Sequence, residues 1–278
     1  MKTKPFWIRT KRPDSGAFNR VNNLLERYNV HTVCKSARCP NTGECFSRNH
    51  LTFMILGDVC TRRCRFCSVK KGDPEPVNCK EIGQITEIVG LMNMDYVVIT
   101  SVTRDDLPDG GVGLYCKVIE ALKEKHRDIK IEILTPDFYG KCFDDLLCAA
   151  PYVWAHNVET VPRLYKEIRP QADYIRSLKL LSEIKTKRND IFTKSGIMLG
   201  LGETESEILD VLCDLRDAGV DIVTLGQYLK PSKESVNVER FLTPLEFEEY
   251  RKKAVNIGFK YVQSAPLVRS SYRINDKL

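Results

Sequence analysis

Three cysteines near residue 60 have the spacing of a metal-binding motif. Cys60, Cys64 and Cys67 form a C-x3-C-x2-C pattern, which places three thiolates within eight residues. A tetrahedral zinc or a fully ligated iron–sulfur cluster needs a fourth protein ligand, and the nearest histidine in the sequence is His50. Three ligands leave one iron of a cluster open, so it can chelate a small molecule. The pattern therefore favours a reactive cluster over the alternative, a zinc knuckle with a distant fourth ligand.

A second set of three cysteines lies upstream. Cys34, Cys39 and Cys45 form a C-x4-C-x5-C pattern. Two sets of three thiolates suggest two clusters, although a zinc plug or a purely stabilising cluster is an alternative for this set. The chain has 11 cysteines in total. The other five are expected to be small buried hydrophobic residues: Cys79, Cys116, Cys142, Cys148 and Cys213.

The composition fits a globular enzyme in a reducing compartment. Of the 278 residues, 42% are hydrophobic and 29% are charged, with a formal net charge of +6. No apolar run is long enough to span a bilayer, and the basic segment 1–12 lacks the apolar stretch of a secretory signal. We therefore expect a cytoplasmic location, where cysteine-rich segments indicate metal or redox chemistry rather than disulfides.

A cluster of basic residues lies in and just after the C-x3-C-x2-C motif. Such a cluster is either a solvated loop or a surface that attracts an anionic cofactor or an acidic partner. The chain has no zinc-finger, helix-turn-helix or RNA-recognition signature, so no nucleic-acid partner is expected. The members of the cluster are Arg62, Arg63, Arg65, Lys70 and Lys71.

Downstream of Cys67, apolar strand-like runs alternate with amphipathic helical windows. Alternating strands and helices imply an α/β fold with a parallel sheet. Six such units favour a partial (β/α)6 TIM-like barrel over the alternative, a doubly wound sheet. The predicted strands are 51–57, 96–101, 130–134, 152–156, 193–199 and 222–228. The predicted helices are 80–92, 114–126, 143–149, 174–186, 205–218 and 244–257.

Ligands of parallel α/β folds gather at the carboxyl ends of the strands. The barrel is expected to span 51–257, with the extensions 1–50 and 258–278 capping it. The first extension carries the second cysteine set, and the other contains an Arg-Ser-Ser-Tyr motif at 269–272. Polar or glycine-rich segments follow each predicted strand: 60–67, 104–111, 135–137, 157–159, 200–203 and 229–232.

The C-x3-C-x2-C motif after a first strand, with the aromatic Phe66 before its third cysteine, resembles that of radical S-adenosylmethionine (SAM) enzymes. The two cysteine sets together resemble those of the lipoyl synthases, a family within that superfamily. The partial barrel is also the fold that the resemblance implies. Five further segments carry the resemblance across nearly the whole chain: 37–41 (ARCPN), 100–111 (TSVTRDDLPDGG), 156–160 (HNVET), 194–203 (KSGIMLGLGE) and 269–272 (RSSY).

The resemblance implies a sulfurtransferase that inserts two sulfur atoms, at C6 and C8, into an octanoyl chain held on a lysine of a carrier. It implies two [4Fe-4S] clusters and SAM as cofactors. Cys60, Cys64 and Cys67 would hold the SAM-binding cluster, and Cys34, Cys39 and Cys45 an auxiliary cluster that donates its sulfur and is destroyed. The implied partners are an octanoylated lipoyl-carrier protein or domain, an electron donor such as ferredoxin or flavodoxin, and an iron–sulfur carrier, with no membrane.

The resemblance also implies that a serine of the Arg-Ser-Ser-Tyr motif is the fourth ligand of the auxiliary cluster. Here that serine is Ser270 or Ser271, and we favour Ser271. A protonated serine leaves iron more easily than a thiolate does, which suits a cluster that is consumed. From the sequence alone, both serines would instead bond local backbone in a terminal turn. The tail departs from the family at Ile274, where a small residue is usual.

Contacts to SAM follow from the resemblance residue by residue. Phe66 is expected near the adenine, and Asn157 and Glu159 near the ribose, whose hydroxyls need an acceptor. The alternative for the last two is a polar surface loop. Arg169 and Lys194 are candidates for anchoring a carboxylate, and no residue beyond the cluster ligands is assigned a catalytic role. Further candidates near the charged groups of SAM, or for starting a helix, are Arg104, Asp105 and Asp106.

The sequence is compatible with two other functions. One is a different sulfur-inserting radical SAM enzyme, similar to biotin synthase, against which the spacing of the upstream cysteines argues. The other is a non-enzymatic iron–sulfur protein or a zinc-stabilised binding protein. It requires both metal centres to be fully ligated and inert, so a test for SAM cleavage separates it from an enzyme.

Overall fold

The computed structural model describes residues 3–10, 14–138 and 140–272. Ile274 and the outer ends of both predicted extensions lie outside the described residues. The chain divides into two compact units. The amino-terminal unit contains Thr10–Arg62 and Ser68–Tyr152, and the carboxy-terminal unit contains Met1–Arg9, Arg63–Cys67 and Val153–Leu278.

The amino-terminal unit combines parallel strands with helices. Its elements are α1 (Ser15–Arg27), α2 (Val33–Ser36), α3 (Thr42–Ser47), β1 (Thr52–Ile55), β2 (Val59–Cys60), β3 (Lys70–Lys71), α4 (Lys80–Leu91), β4 (Tyr96–Ser101), α5 (Val112–Lys125), β5 (Lys130–Leu134) and α6 (Asp144–Cys148). Within this unit the main strands are ordered β1-β4-β5 and run parallel. β2 and β3 pair separately.

β1 and β4 are buried on both faces, which explains their mainly apolar sequences. The register pairs Thr52 with Val98 and Val98 with Glu132. Glu132 is fully buried and accepts a hydrogen bond of 2.5 Å from the Tyr96 hydroxyl, which satisfies a polar group in the core. Because the strands are parallel, the loops at their carboxyl ends share one edge of the sheet.

The carboxy-terminal unit repeats the same alternation. Its elements are β6 (Val153–Ala155), α7 (Tyr165–Ile168), α8 (Tyr174–Lys187), β7 (Phe192–Leu199), α9 (Glu205–Asp217), β8 (Ile222–Gln227), α10 (Pro244–Ile257) and β9 (Tyr261–Ala265). The strand order is β6-β7-β8-β9, all parallel. Capping boxes begin α9 at Thr204 and α10 at Thr243. In each box the threonine and a glutamate three residues later satisfy backbone amides that the helix leaves open.

All the predicted strands and helices occur, with boundaries within two residues of those expected. The tail, however, contains a further strand that the rhythm did not predict. Tyr261–Ala265 pairs with β8, from Ile222 opposite Tyr261 to Gly226 opposite Ala265. Every residue of this strand is only partly buried, and its sequence includes polar side chains. An edge strand of this kind has too weak an apolar pattern to be recognised from sequence.

The expectation that the five scattered cysteines are buried is wrong. Cys79 precedes α4, Cys148 is the last residue of α6, and Cys213 lies on the outer face of α9, between the buried Leu212 and Leu215. Helix ends and outward helical positions face solvent whatever their residue type. Cys116 is half-buried, and the exposed ones are Cys79, Cys142, Cys148 and Cys213.

We predict that Gly111→Ala destabilises the protein. Gly111 has a φ of +94°, and an added Cβ would lie 2.3 Å from Leu56 Cδ1. We expect a loss of about 1–3 kcal/mol in the free energy of unfolding, measured by urea denaturation, because backbone strain and the clash add. The matched control is Gly83→Ala in α4, where nothing lies within 4 Å of the added Cβ. Equal stability of the two variants would contradict the prediction.

Candidate active site

The three upstream cysteines are gathered by two short helices. Cys34 lies on α2 and Cys45 on α3, and Cys39 lies in the loop between them. The Thr42 hydroxyl reaches the carbonyl oxygens of Cys34 and Cys39, at 3.2 and 2.8 Å. The Cys39 amide also donates to the Cys34 carbonyl at 2.9 Å. These bonds fold the segment back on itself, so spacing along the chain becomes proximity in space.

The thiols of this set interact electrostatically. Burial raises the pKa of Cys34 to about 11, and the neighbouring Cys39 adds to the shift. Burial likewise raises the pKa of Cys45 to about 12, with Cys34 and Cys39 adding to it. Burial and mutual repulsion disfavour the thiolate forms of Cys34 and Cys45, so binding of a cationic cluster would release their protons. Within the described residues, no group of three or more His, Cys, Asp or Glu side chains is arranged to hold a metal ion, so the ligand set stays a prediction.

The first half of the C-x3-C-x2-C motif belongs to the amino-terminal unit. The Thr103 backbone amide donates to Cys60 Sγ at 3.3 Å. Both the amide and the hydroxyl of Thr61 donate to the Thr103 carbonyl oxygen, at 3.1 and 3.0 Å. The Asp105 amide donates to the Thr61 hydroxyl at 3.2 Å. The residues between the cysteines therefore attach the motif to the loop that follows β4.

Arg62 is buried, unlike the rest of the basic cluster. Its exposed fraction is 5%, and it forms a two-point ion pair with Asp105 at 2.7 and 2.8 Å. A further bond of 2.6 Å reaches Asp137, whose side chain is fully buried. Both possibilities weighed for the cluster fail for this residue, because it is neither solvated nor available to a ligand. The other members are exposed: Arg63, Arg65, Lys70 and Lys71.

Arg104 and Asp106 also pair with each other. Arg104 Nη2 lies 2.8 Å from Asp106 Oδ2, and Arg104 Nη1 donates to the Leu56 carbonyl oxygen at 3.4 Å. The hydrogen bonds from Arg104 lower the pKa of Asp106. Arg104, Asp105 and Asp106, three neighbours on the loop after β4, thus hold the loops after β1 and β4 in place. Their suggested contacts to SAM stay a prediction.

The second half of the motif belongs to the carboxy-terminal unit. The Arg65 amide donates to the Ile168 carbonyl oxygen at 2.8 Å, and the Val236 amide donates to the Arg65 carbonyl oxygen at 3.1 Å. The Cys67 amide bonds back to the Cys64 carbonyl oxygen at 3.3 Å, which closes a turn. Phe66 is partly buried and packs against the hydrophobic core of this unit. The aromatic ring is therefore held by packing rather than left free in solvent.

Asn157 and Glu159 lie together after β6. Asn157 Nδ2 donates to Glu159 Oε1 at 2.9 Å. Glu159 has a φ of +66° and bonds through its backbone to β7, at Gly196 and Met198. Among the described residues, Asn157 Oδ1 is buried and accepts no hydrogen bond. A hydroxyl of a bound ligand would satisfy that oxygen, so the pair fits the sugar site expected for it.

Arg169 and Lys194, the two candidate carboxylate anchors, lie in different surroundings. Arg169 is buried, and its Nη1 donates to the carbonyl oxygens of Asn157 and Val158, both at 3.0 Å. It thereby supports the loop that carries Asn157 and Glu159. Lys194 is fully buried in β7, and its Nζ donates to the Tyr272 carbonyl oxygen at 3.0 Å. The structure brings Asn157, Glu159 and Arg169 together and places Lys194 at the tail.

Comparison with known proteins identifies the family. Residues 54–215, more than half of the chain, match the family model of the Radical SAM superfamily. A lipoyl synthase of Caldicellulosiruptor saccharolyticus is 52% identical over 97% of this chain and 95% of that protein. A lipoyl synthase of Thiobacillus denitrificans is 51% identical over 98% of this chain and 89% of that protein. The chain belongs to the lipoyl synthase family. The expectation of a sulfur-inserting radical SAM enzyme is thereby confirmed.

Solved structures support the predicted fold class. The crystal structure of methylornithine synthase (PylB) has a TM-score of 0.56 at 16% identity, over 81% of this chain and 75% of that chain. Streptococcus suis SuiB bound to S-adenosylmethionine has a TM-score of 0.60 at 12% identity, over 81% of this chain and 54% of that chain. For this member of the lipoyl synthase family, the α/β class with a partial (β/α)6 TIM-like barrel is confirmed.

Sequence reasoning missed the supporting residues of this lipoyl synthase family member. Nothing marked Asp137 as the partner of Arg62, because the two are 75 positions apart. The partial signal was that 135–137 follows a predicted strand, where site residues were expected. Thr42 and Thr61 were also missed, since a threonine in a loop has many local uses. These residues act by holding the cysteine segments, which a motif search does not detect.

We predict that Glu159→Gln changes both stability and SAM binding. Burial raises the pKa of Glu159, and Arg169 and Asn157 oppose the shift. The carboxyl therefore contributes stability that is full below its ordinary pKa and is lost as pH rises through the folded-state value. Glutamine does not ionise, so the variant should be more stable than the parent at neutral pH but not near pH 4. Urea denaturation at the two pH values checks this.

The same variant should bind SAM about 10- to 100-fold more weakly by calorimetry, because a charged acceptor is lost. The matched control is Glu167→Gln, on an exposed residue of α7 in the same unit. That substitution should leave SAM affinity unchanged. Unchanged SAM affinity of Glu159→Gln would remove Glu159 from the site.

Proposed function

We propose that this chain carries two [4Fe-4S] clusters and inserts two sulfur atoms, at C6 and C8, into an octanoyl chain on a carrier lysine. Cys60, Cys64 and Cys67 would ligate the SAM-binding cluster. The auxiliary cluster would be ligated by Cys34, Cys39, Cys45 and Ser271. The observation that carries the proposal is the gathering of Cys34, Cys39 and Cys45 by α2, α3 and the loop between them, where burial raises the pKa of Cys34 and of Cys45.

When bound, the two clusters would supply the electron that cleaves SAM and the sulfur that is inserted into the substrate. The chain's own residues bind SAM and orient it. Asn157 and Glu159 would accept hydrogen bonds from the SAM ribose, supported by the unsatisfied Asn157 Oδ1. Arg169 supports this pair by donating hydrogen bonds to the backbone carbonyl oxygens of Asn157 and Val158. Phe66, packed on the core, would contact the adenine. A held SAM and acyl chain convert a bimolecular reaction into an oriented one.

The proposed substrate is an octanoylated lipoyl-carrier protein or domain, and the location is the cytoplasm. Turnover needs an external electron donor, such as ferredoxin or flavodoxin, and a carrier that rebuilds the consumed auxiliary cluster.

None of the helices in the described residues has both the length and the apolar character needed to span a bilayer. The extensions 1–50 and 258–278 are proposed to cap the barrel over 51–257 and exclude water from the reaction.

The test is an anaerobic assay with SAM, dithionite and an octanoyl-lysine peptide. We expect 5′-deoxyadenosine together with a lipoylated peptide, and about eight irons per purified chain, four for each cluster. Dethiobiotin in place of the peptide should yield no product. About four irons, or zinc in place of iron, would overturn the two-cluster assignment. Absence of 5′-deoxyadenosine would favour an inert iron–sulfur protein instead.

A further inference from the structure

The tail that carries the two serines lies against the strands β7 and β8. An added Cβ at Gly226 would lie 2.1 Å from the Val268 carbonyl oxygen. An added Cβ at Gly196 would lie 3.0 Å from Ser270 Cβ. A Cβ at the first distance is impossible without movement of the tail backbone, so glycine permits this close approach. The path of the tail is therefore determined by where two neighbouring strands lack side chains.

The tail also makes backbone bonds of its own. The Gln227 amide donates to the Pro266 carbonyl oxygen at 3.3 Å, which joins the tail to the end of β8. The Val268 amide donates to Ala265 at 3.0 Å, and the Tyr272 amide donates to Arg269 at 2.9 Å. These bonds form two consecutive turns, and the second turn contains both serines.

Lys194 reaches the second turn from β7, where it lies two residues before Gly196. Its side chain is fully buried, and its ammonium donates to the Tyr272 carbonyl oxygen at 3.0 Å. Burying an ammonium is costly unless its donors are satisfied, so a buried lysine is retained where its bonds matter. The bond spans 78 positions of sequence and joins β7 directly to the second turn.

We propose that Lys194 is a positioning residue that holds the turn 269–272 and thereby Ser271. The proposal rests on the proposed role of Ser271 as the fourth ligand of the auxiliary cluster. Iron binds a serine ligand weakly, so other contacts of the protein must keep the serine in position. The hydrogen bond from Lys194 to the Tyr272 carbonyl oxygen, one residue beyond the ligand, is such a contact.

Two lysine variants and one glycine variant test the proposal. Lys194→Met removes the donor but keeps a long apolar stem of similar size. Lys194→Gln keeps an N–H donor and should retain part of the hold on the Tyr272 carbonyl oxygen. Gly226→Ala displaces the tail from β8, where the added Cβ would meet the Val268 carbonyl oxygen, and leaves Lys194 unchanged. The matched control is Lys230→Met, on a lysine of the same unit that bonds Asn237 at the surface.

The primary readout is tryptic cleavage after Arg269, followed by intact mass on the folded, cluster-loaded protein. Cleavage reports how often the turn leaves its place. We expect about tenfold faster cleavage in Lys194→Met, because one charge-assisted bond is lost, and in Gly226→Ala, because the added Cβ displaces the tail backbone. Lys194→Gln should give an intermediate rate, because its bond is weaker. Cleavage after Arg188, between α8 and β7, should not change. That internal site separates local release of the tail from general destabilisation.

The second readout is iron release to a chelator, where the auxiliary half of the iron should leave faster in Lys194→Met. Cleavage no faster than in Lys230→Met would overturn the proposal. If Lys194→Met fails to fold, Lys194→Gln is compared with Lys230→Met in the same way. Ser271→Ala tests the ligand assignment separately. Suppose that tail cleavage is faster in Lys194→Met but iron release is unchanged in both Lys194→Met and Ser271→Ala. Lys194 would then hold the tail, but the proposal that it positions a cluster ligand would be overturned.

Discussion

Cys45→Ala should abolish lipoyl product while leaving SAM cleavage in place. Cys45 interacts with both other upstream thiols, and burial raises its pKa to about 12. Removing it leaves at most two thiolates in the auxiliary set, too few to retain a four-iron cluster. The SAM-binding set is untouched, so 5′-deoxyadenosine should still form. We expect iron to fall from about eight to about four per chain, and product to fall at least about 100-fold, since the sulfur source is lost.

Cys116→Ala is the matched control for this experiment. Cys116 lies in the same unit, is half-buried, and burial raises its pKa to about 11. It is outside both motifs, so its variant should keep the full iron content and full product formation. Loss of product in Cys116→Ala as well would mean that any desolvated thiol matters, and the assignment of Cys45 would lose its support. Loss of SAM cleavage in Cys45→Ala would show that the two cysteine sets are not independent.

Asp137→Ala should be the most destabilising of the substitutions considered for the loops after β4 and β5. Its side chain is fully buried and lies 2.6 Å from Arg62, whose exposed fraction is 5%. Removing one partner leaves a buried charge with less compensation than it needs. We expect a loss of about 3–5 kcal/mol in the free energy of unfolding, measured by urea denaturation.

Two controls sharpen this prediction. Glu87→Ala breaks an exposed pair with Lys125 on the same unit and should cost no more than about 0.5 kcal/mol. Asp137→Asn keeps the shape and a hydrogen-bond acceptor, so its loss should fall between the other two. A midpoint for Asp137→Ala close to that of Glu87→Ala would show that Asp105 alone compensates Arg62. The ion pair between Arg62 and Asp137 would then not be needed to hold the loop that carries the C-x3-C-x2-C motif.

Local pattern was enough to predict the strands and helices that form the frame. β4 and β8 are runs of mainly apolar residues, and α9 and α10 show helical periodicity after clear capping residues. Such signals are contained within short windows, and tertiary packing agrees with them here. β9 escaped prediction because an edge strand of mixed polarity is stabilised by its pairing with β8, which no short window contains.

The sequence by itself identified the candidate metal ligands, because thiolate chemistry and spacing along the chain are local properties. The motif pair and the segments around it also determined the family, which the relatives confirm. Only the tertiary structure decided which contacts hold those segments in place. They are the hydrogen bonds from Thr42 to the Cys34 carbonyl oxygen, from Arg62 to Asp137, and from Lys194 to the Tyr272 carbonyl oxygen. The last two contacts join positions 75 and 78 residues apart. The energy of a buried charge or hydrogen bond depends on its surroundings rather than on its neighbours in sequence.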